Sequence, residues 1–172
     1  MQVAGLRLPQ APPRVRVFGA EDLHLTLCFF GAVQEADARR AWDGIERFQT
    51  LRPVEGTFAE IKPLGHPKKP SALAALVGEG RDALSATILE ARGPLLDEAG
   101  APPDERPPLP HMTIARIQRR AKGAERRAAL AWLDSIDVTR ASFQATDVAL
   151  YTWSSDRQSR LFDIVERHRM RA

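Results

Sequence analysis

The chain holds 172 residues, 44% hydrophobic and 27% charged, the balance of a folded protein of one domain or two small lobes and not of a disordered chain. Lys+Arg 25 against Asp+Glu 22 leaves a net charge of +3, too little to coat nucleic acid in bulk but compatible with an anionic substrate. A single cysteine, Cys28, excludes an intramolecular disulfide and a multi-cysteine zinc site, and no apolar run approaches the roughly 20 residues of a membrane-spanning helix. The start, Met1–Pro9, has no basic segment followed by an apolar block, so a cytoplasmic, reduced setting is expected.

Leu23–Phe30 reads as a strand. Gln34–Gln49 carries Ala38, Ala41, Trp42, Ile45 and Phe48 at three- and four-residue spacing and reads as a helix weakened at Gly44. Val54–Lys62 and Ser71–Val77 read as strands joined by the turn-rich run Pro63–Pro70. Arg81–Glu98 reads as a helix burying Leu84, Ile88, Leu89, Leu95 and Leu96, with a break or kink expected at Gly93-Pro94. Gly100–Pro110 has five prolines in eleven residues, which excludes helix and central strand and predicts an extended connector. A strand is expected at His111–Ile117, then a helix at Ala124–Ile136 carrying Leu130, Trp132 and Leu133. Further strands are expected near Ala141–Gln144, Val148–Trp153 and Arg160–Glu166. No low-complexity linker cuts the chain. Each half therefore opens strand, helix, strand, strand, which predicts an α+β fold of two pseudo-symmetric lobes made by internal duplication, one bilobal domain over residues 1–172.

The duplication has a chemical marker. His24-Leu25-Thr26-Leu27 in the first half matches His111-Met112-Thr113-Ile114 in the second, 87 residues on, about half the chain. Two His-x-Thr matches among four histidines arise by chance roughly once in a hundred sequences. In a strand, side chains alternate between faces, so His24 and Thr26 share one face, as do His111 and Thr113, while the apolar residues between them point into a core. Two lobes packed about a pseudo-two-fold axis bring both pairs into one cleft. Such a cleft suits phosphodiester hydrolysis without a metal. One neutral imidazole takes a proton from water, one imidazolium protonates the leaving oxygen, and the hydroxyls hold the non-bridging oxygens. In-line attack needs base and acid on opposite sides of phosphorus.

With both motifs in view, the sequence resembles the 2H phosphoesterase superfamily. The stretches Glu21–Gly31 and Arg106–Arg116 resemble more narrowly its RNA 2′,3′-cyclic phosphodiesterases, formerly called 2′-5′ RNA ligases. The resemblance spans roughly residues 15 to 166. It implies two lobes, each an antiparallel sheet with helices outside and an active-site cleft between, and hydrolysis of RNA 2′,3′-cyclic phosphate ends to 2′-phosphates. It implies no metal or other cofactor, an RNA or oligonucleotide substrate, a monomer, and neither a membrane nor an obligate protein partner. Carried over, His24 is the proton donor to the 3′ oxygen and His111 the acceptor that activates water. Thr26 and Thr113 hold the phosphate, Arg116 adds a cation, and Phe29 flanks the cleft. Strict alternation puts Arg116 on the face opposite His111, so its role requires a bulge or bent strand. Phe29 is also off the His24 face, and its packing reading is a core residue. Relatives usually begin with a strand and a helix before the first motif's strand; Met1–Pro13 is too short for both, which predicts a missing element, a start site placed late, or a first lobe built differently.

Other singled-out residues read more plainly. His66 falls in a solvated Pro/Lys loop, and His168 in a basic tail, Arg157–Ala172, that reads as a solvated terminus or an RNA-steering element. Arg116, Arg119, Arg120, Lys122, Arg126 and Arg127 read equally as an RNA-backbone contact or a solvated helix face. Tyr151 and Trp153 alternate on a strand and read as core before base stacking, and Cys28 as packing before nucleophile. Three rivals stay open: a metal site using the histidines with Asp22, a non-catalytic RNA-binding module, and the same chemistry on a 2′-5′ linkage or another cyclic nucleotide.

Overall fold

Alternating apolar residues build most of the sheet in this computed structural model, which describes residues 1–171. Strands β1 (Gln2–Ala4), β2 (Val15–Val17), β3 (Val54–His66), β4 (Lys69–Val77), β5 (His111–Ile117) and β6 (Ser142–Ala145) form a six-stranded antiparallel sheet in the order β1-β6-β3-β4-β5-β2. Strands β7 (Asp147–Trp153) and β8 (Phe162–Arg169) form a separate antiparallel ribbon. The helices are α1 (Glu35–Trp42), α2 (Arg81–Glu98) and α3 (Gly123–Asp134).

The expected α+β class holds, and two hydrophobic clusters mark two lobes. Leu73, Ala75, Met112, Ile114 and Ile117 on one face of the large sheet pack with Ala129, Trp132 and Leu133 of α3. Ala41, Ile45 and Phe48 pack with Ala91, Leu95 and Ala99 around α2, with Val148 of β7 against them. The sheets do not follow the halves of the chain, however. The large sheet interleaves β3 and β4 with β5 and β6, because β3 pairs with β6 through Val54–Thr57 and with β4 from Phe58 onward.

Several elements depart from their sequence reading for identifiable reasons. The expected strand Leu23–Phe30 is extended but makes a single bridge, Leu25 to Met112; side chains, not a ladder, hold it. The helix read over Gln34–Gln49 ends at Trp42, because Gly44 adopts φ +78° and restarts the chain as a 3-10 turn, Ile45–Arg47. The run Pro63–Pro70 is mostly hairpin strand; β3 has no partner on its outer side there, so Pro63 forfeits no ladder bond. Helix α2 has the expected ends but continues through Pro94, held on both sides by buried Ile88, Ala91, Leu95 and Leu96. Leu89, read as buried, is 64% exposed.

At the N-terminus, β1 supplies the strand and no helix follows. Leu6, Leu8 and Ala11 pack directly onto the main core, and the Trp132 indole N–H donates to the Pro9 carbonyl at 3.2 Å. The basic tail is largely β8 rather than a solvated terminus, with Arg169 beside Asp147, Arg160 beside Asp163 and Glu166 paired to Arg39; Ala172 lies outside the described residues. No helix among the described residues is long and apolar enough to cross a membrane.

Candidate functional site

The two His-x-Thr segments lie side by side. Leu25 faces Met112 in an antiparallel bridge, so continuing that register by one residue sets His24 across from Thr113 and Thr26 across from His111. Met112 is fully buried and Leu25 packs on the same cluster, which turns all four polar side chains to the opposite face. Directly opposed residues stand roughly 5 Å apart and diagonal ones roughly 7–8 Å, so the two imidazoles occupy opposite corners of a quadrilateral whose other corners are hydroxyls.

Each imidazole is oriented by its own chain. His24 Nδ1 lies 2.8 Å from the Asp22 carbonyl and His111 Nδ1 lies 2.6 Å from the Leu109 carbonyl, two residues upstream in both cases. A carbonyl oxygen only accepts, so each Nδ1 carries its hydrogen, and each Nε2 is left as the proton-exchanging atom. The Pro-rich connector sets the second of these contacts. It leaves α2 at Gly100, φ +62°, is clamped by Arg92 on the Arg106 carbonyl at 2.6 Å, and enters β5 where Val77 N–H donates to the Pro110 carbonyl.

His24 has the more elaborate support. The Asp22 carboxylate, 2% exposed, accepts from the Leu161 N–H at 2.8 Å and the Phe162 N–H at 3.2 Å, which ties the first motif to the start of β8. That carboxylate is thus engaged by backbone donors, which argues against the metal-ligand reading of Asp22. The imidazole stacks on Tyr151 at 5.1 Å between centroids and meets the Phe162 ring edge-on at 5.2 Å. Burial pushes the His24 pKa below its ordinary value, opposed by the Asp22 carbonyl and carboxylate and aided by the nearby charges of His111 and Arg116.

Arg116 joins the face of His111 and Thr113, and a bulge puts it there. Ala74 opposes Thr113 but the next residue back, Leu73, opposes Ala115, so Ile114 is an extra residue in β5 and the alternation inverts beyond it. Phe29, read as core by its parity, is instead 73% exposed. Tyr151 and Trp153 are not plain core either: Tyr151 backs His24, and Trp153 is 47% exposed, stacked on Phe162 and capped by Arg157 at 4.5 Å. Cys28 is half-buried, its thiol pushed up to about 12 by burial, as its packing reading expects. His66 stands on the exposed β3–β4 hairpin, and His168 is paired in β8 with Val148. Of the basic cluster, Arg126 is spent on the Ala121 and Pro70 carbonyls, whereas Arg119, Arg120 and Arg127 are exposed. Sequence reasoning missed Asp22 as a clamp and the Tyr151–Phe162 wall. The same-side spacing of Tyr151 and Trp153 was a visible signal for the wall, but nothing local reveals that Asp22 meets β8.

Comparisons with known proteins identify the family and the fold. The model of the 2′-5′ RNA ligase superfamily matches residues 3–157. No curated protein matches the sequence with significance. Among solved structures, E. coli LigT complexed with 3′-AMP is similar with a TM-score of 0.69 at 17% identity, covering 97% of this chain and 95% of that one. A structure described as a phosphoesterase is similar at TM-score 0.66 and 19% identity, with 98% and 87% covered. TT0787 of Thermus thermophilus follows at 0.57 and 16%, with 92% and 84% covered. At these identities the structures speak for the fold.

Proposed function

The chain belongs to the 2′-5′ RNA ligase superfamily, and on that premise we propose that it is a metal-independent phosphodiesterase that opens RNA 2′,3′-cyclic phosphate ends to 2′-phosphates. The observation that carries the reading is the antiparallel Leu25–Met112 bridge, which sets the two motifs side by side, with each Nδ1 on a backbone carbonyl and each Nε2 left for proton exchange. A cyclic phosphate seated among the four takes hydrogen bonds from the Thr26 and Thr113 hydroxyls on its non-bridging oxygens. His111 Nε2 accepts a proton from water as the water oxygen attacks phosphorus. The P–O3′ bond breaks on the far side, and His24 Nε2–H protonates the departing O3′, leaving the phosphate on O2′. Imidazoles placed diagonally, as continuing the bridge register would set them, suit in-line attack. Arg116, brought round by the bulge, adds positive charge where negative charge accumulates. Phe29, exposed just beyond the first motif, is assigned to the cleft rim.

The acid role demands a charged His24, yet burial lowers its pKa in the free protein. A bound phosphate reverses this, because an anion beside the ring favours imidazolium. The donor therefore charges as substrate binds, on an imidazole packed against Tyr151 and Phe162. A nucleotide substrate fits the similarity to E. coli LigT, which has been crystallised with 3′-AMP. We assign the protein to the cytoplasm as a monomer; its lone thiol suits a reducing compartment, and gel filtration reads the oligomeric state.

The test is turnover of an RNA oligonucleotide ending in a 2′,3′-cyclic phosphate, with EDTA present and the product end mapped. Wild type should yield 2′-phosphate at an undiminished rate with EDTA. His24→Ala and His111→Ala should each lose roughly a hundred- to ten-thousand-fold in rate. Inhibition by EDTA, or full activity in either variant, overturns the two-histidine mechanism. Binding without turnover by folded wild type would return the chain to the RNA-binding reading, and cleavage of only a 2′-5′ linkage would change the substrate.

A further inference from the structure

Two like charges face each other next to the candidate site. Strand β2 pairs with β5 so that Arg16 lies directly opposite Arg116. Opposed residues of an antiparallel pair point to the same side, so both guanidinium groups stand on the face that carries His111 and Thr113. Such a pairing is unfavourable unless something negative joins it. Of the other arginines nearby, Arg14 reaches Glu125 and Gln118, and Arg126 two carbonyls. Among the described residues, neither Arg16 nor Arg116 has a hydrogen-bonded or ion-paired side-chain partner within bonding distance. Arg16 is half-buried and Arg116 exposed, so an anion can reach both.

The position of the pair is informative. Along β5 the order is His111, Thr113, Arg116; Arg16 lies across from Arg116, and the register of the Leu25–Met112 bridge, continued by one residue, sets Thr26 across from His111 and His24 across from Thr113. The rung that holds His24 therefore lies between the His111 rung and the arginine rung. With the inverted alternation at Ile114, Thr113 and Arg116 are separated by about two strand positions, ~7 Å, the order of one nucleotide step. His24 serves O3′ of the terminal ribose, and the rest of an RNA chain continues from the 5′ side of that ribose. The chain thus leads from the His24 rung toward Arg16. The floor beside it is small: Ala74 opposes Thr113 and Ala72 opposes Arg116 on β4, which leaves room for a backbone.

We infer that Arg16, beside Arg116, binds the phosphate on the 5′ side of the terminal nucleotide, so that the site selects oligonucleotides over a cyclic mononucleotide. The inference rests on the cyclic phosphodiesterase reading and adds a second phosphate subsite to it. Guanidinium suits the task because its planar fork meets phosphate oxygens in pairs.

The experiment compares wild type, Arg16→Gln and Arg16→Lys on an RNA decamer ending in a 2′,3′-cyclic phosphate and on a 2′,3′-cyclic mononucleotide. Arg16→Gln should lower kcat/KM for the decamer about tenfold more than for the mononucleotide, through KM, and Arg16→Lys should recover part of it. The slope of log affinity against log salt for the decamer should flatten by about 0.7 on loss of one phosphate contact. Thermal unfolding at low salt should show Arg16→Gln no less stable than wild type, since it relieves the repulsion. Equal effects on both substrates, or none on either, overturn the subsite and leave the phosphodiesterase reading standing. If wild type turns over neither substrate, the phosphodiesterase reading fails, and decamer binding by anisotropy decides the subsite alone: a tenfold weakening in Arg16→Gln supports it and unchanged binding overturns it.

Discussion

Asp22 joins the first His-x-Thr motif to the start of β8. Its carbonyl orients His24 and its carboxylate fixes the Leu161 and Phe162 N–H groups. Asp22→Ala strands buried donors and should cost about 1–3 kcal/mol in a urea titration, with a fall in kcat because Phe162, which packs edge-on against the imidazole, loses its anchor. Asp22→Asn, which keeps one acceptor oxygen, should recover part of both. His24 itself should titrate below its ordinary value near 6.5, since burial dominates its environment. Proton NMR of the ring hydrogens, compared with and without inorganic phosphate, reads this directly. The expected outcome is a low pKa in the free protein and a higher one with the anion bound; an unperturbed His24 would remove the account of how the acid charges. Thr113→Val and Thr26→Val should each lower kcat with little loss of stability, because both hydroxyls face the cleft.

At the scale of elements, two local rules give way to packing. Helix α2 keeps Pro94 in its interior, on an exposed position, where the proline forfeits a bond to the Glu90 carbonyl. Pro94→Ala should restore that bond and raise stability by roughly 1–2 kcal/mol, read as a higher Tm, after allowing for the freer unfolded chain. Gly56 shows the reverse constraint. It opposes Phe143 where β3 turns from β6 to β4, and a Cβ there would lie 2.1 Å from the Glu79 carbonyl oxygen. Gly56→Ala must therefore push backbone apart, at a cost of about 1–3 kcal/mol or more. The bulge at Ile114 is the element-scale feature on which Arg116 depends. Deleting Ile114 should leave Ala115 opposite Leu73 and Arg116 opposite Ala72, so Arg116 keeps its face, while loss of a fully buried side chain lowers stability.

Over the whole molecule, pH should act on stability through His24, which burial holds below its ordinary pKa. Its pKa is lower folded than unfolded, so the unfolded chain binds the proton more readily. The stability it contributes is present above the ordinary value near 6.5 and is lost as pH falls below it. Wild type should therefore lose more stability between pH 7.5 and 5.5 than His24→Asn does, measured by urea midpoints at the two values. A larger loss in the variant would contradict the sign. The activity of the assembly should follow a bell-shaped pH profile, with both arms carried by the two imidazoles.

The sequence by itself determined the strand alternation, the ends of α2 and β5, and both His-x-Thr pairs. All of these rest on local periodicity or on a repeated pattern of residue types. The halves of the chain, read as separate lobes, trade strands instead, because β3 is long enough to pair with β6 at one end and β4 at the other. The face of Arg116 depended on a one-residue mismatch with β4, and the juxtaposition of Arg16 with Arg116 on strand pairing about a hundred residues apart. Asp22 and Tyr151 gained their roles only when β7 and β8 folded back on the first motif. Side-chain facing follows from chain geometry and is written locally. Register, bulges and long-range partners are settled by which surfaces pack, so only the tertiary structure decided them.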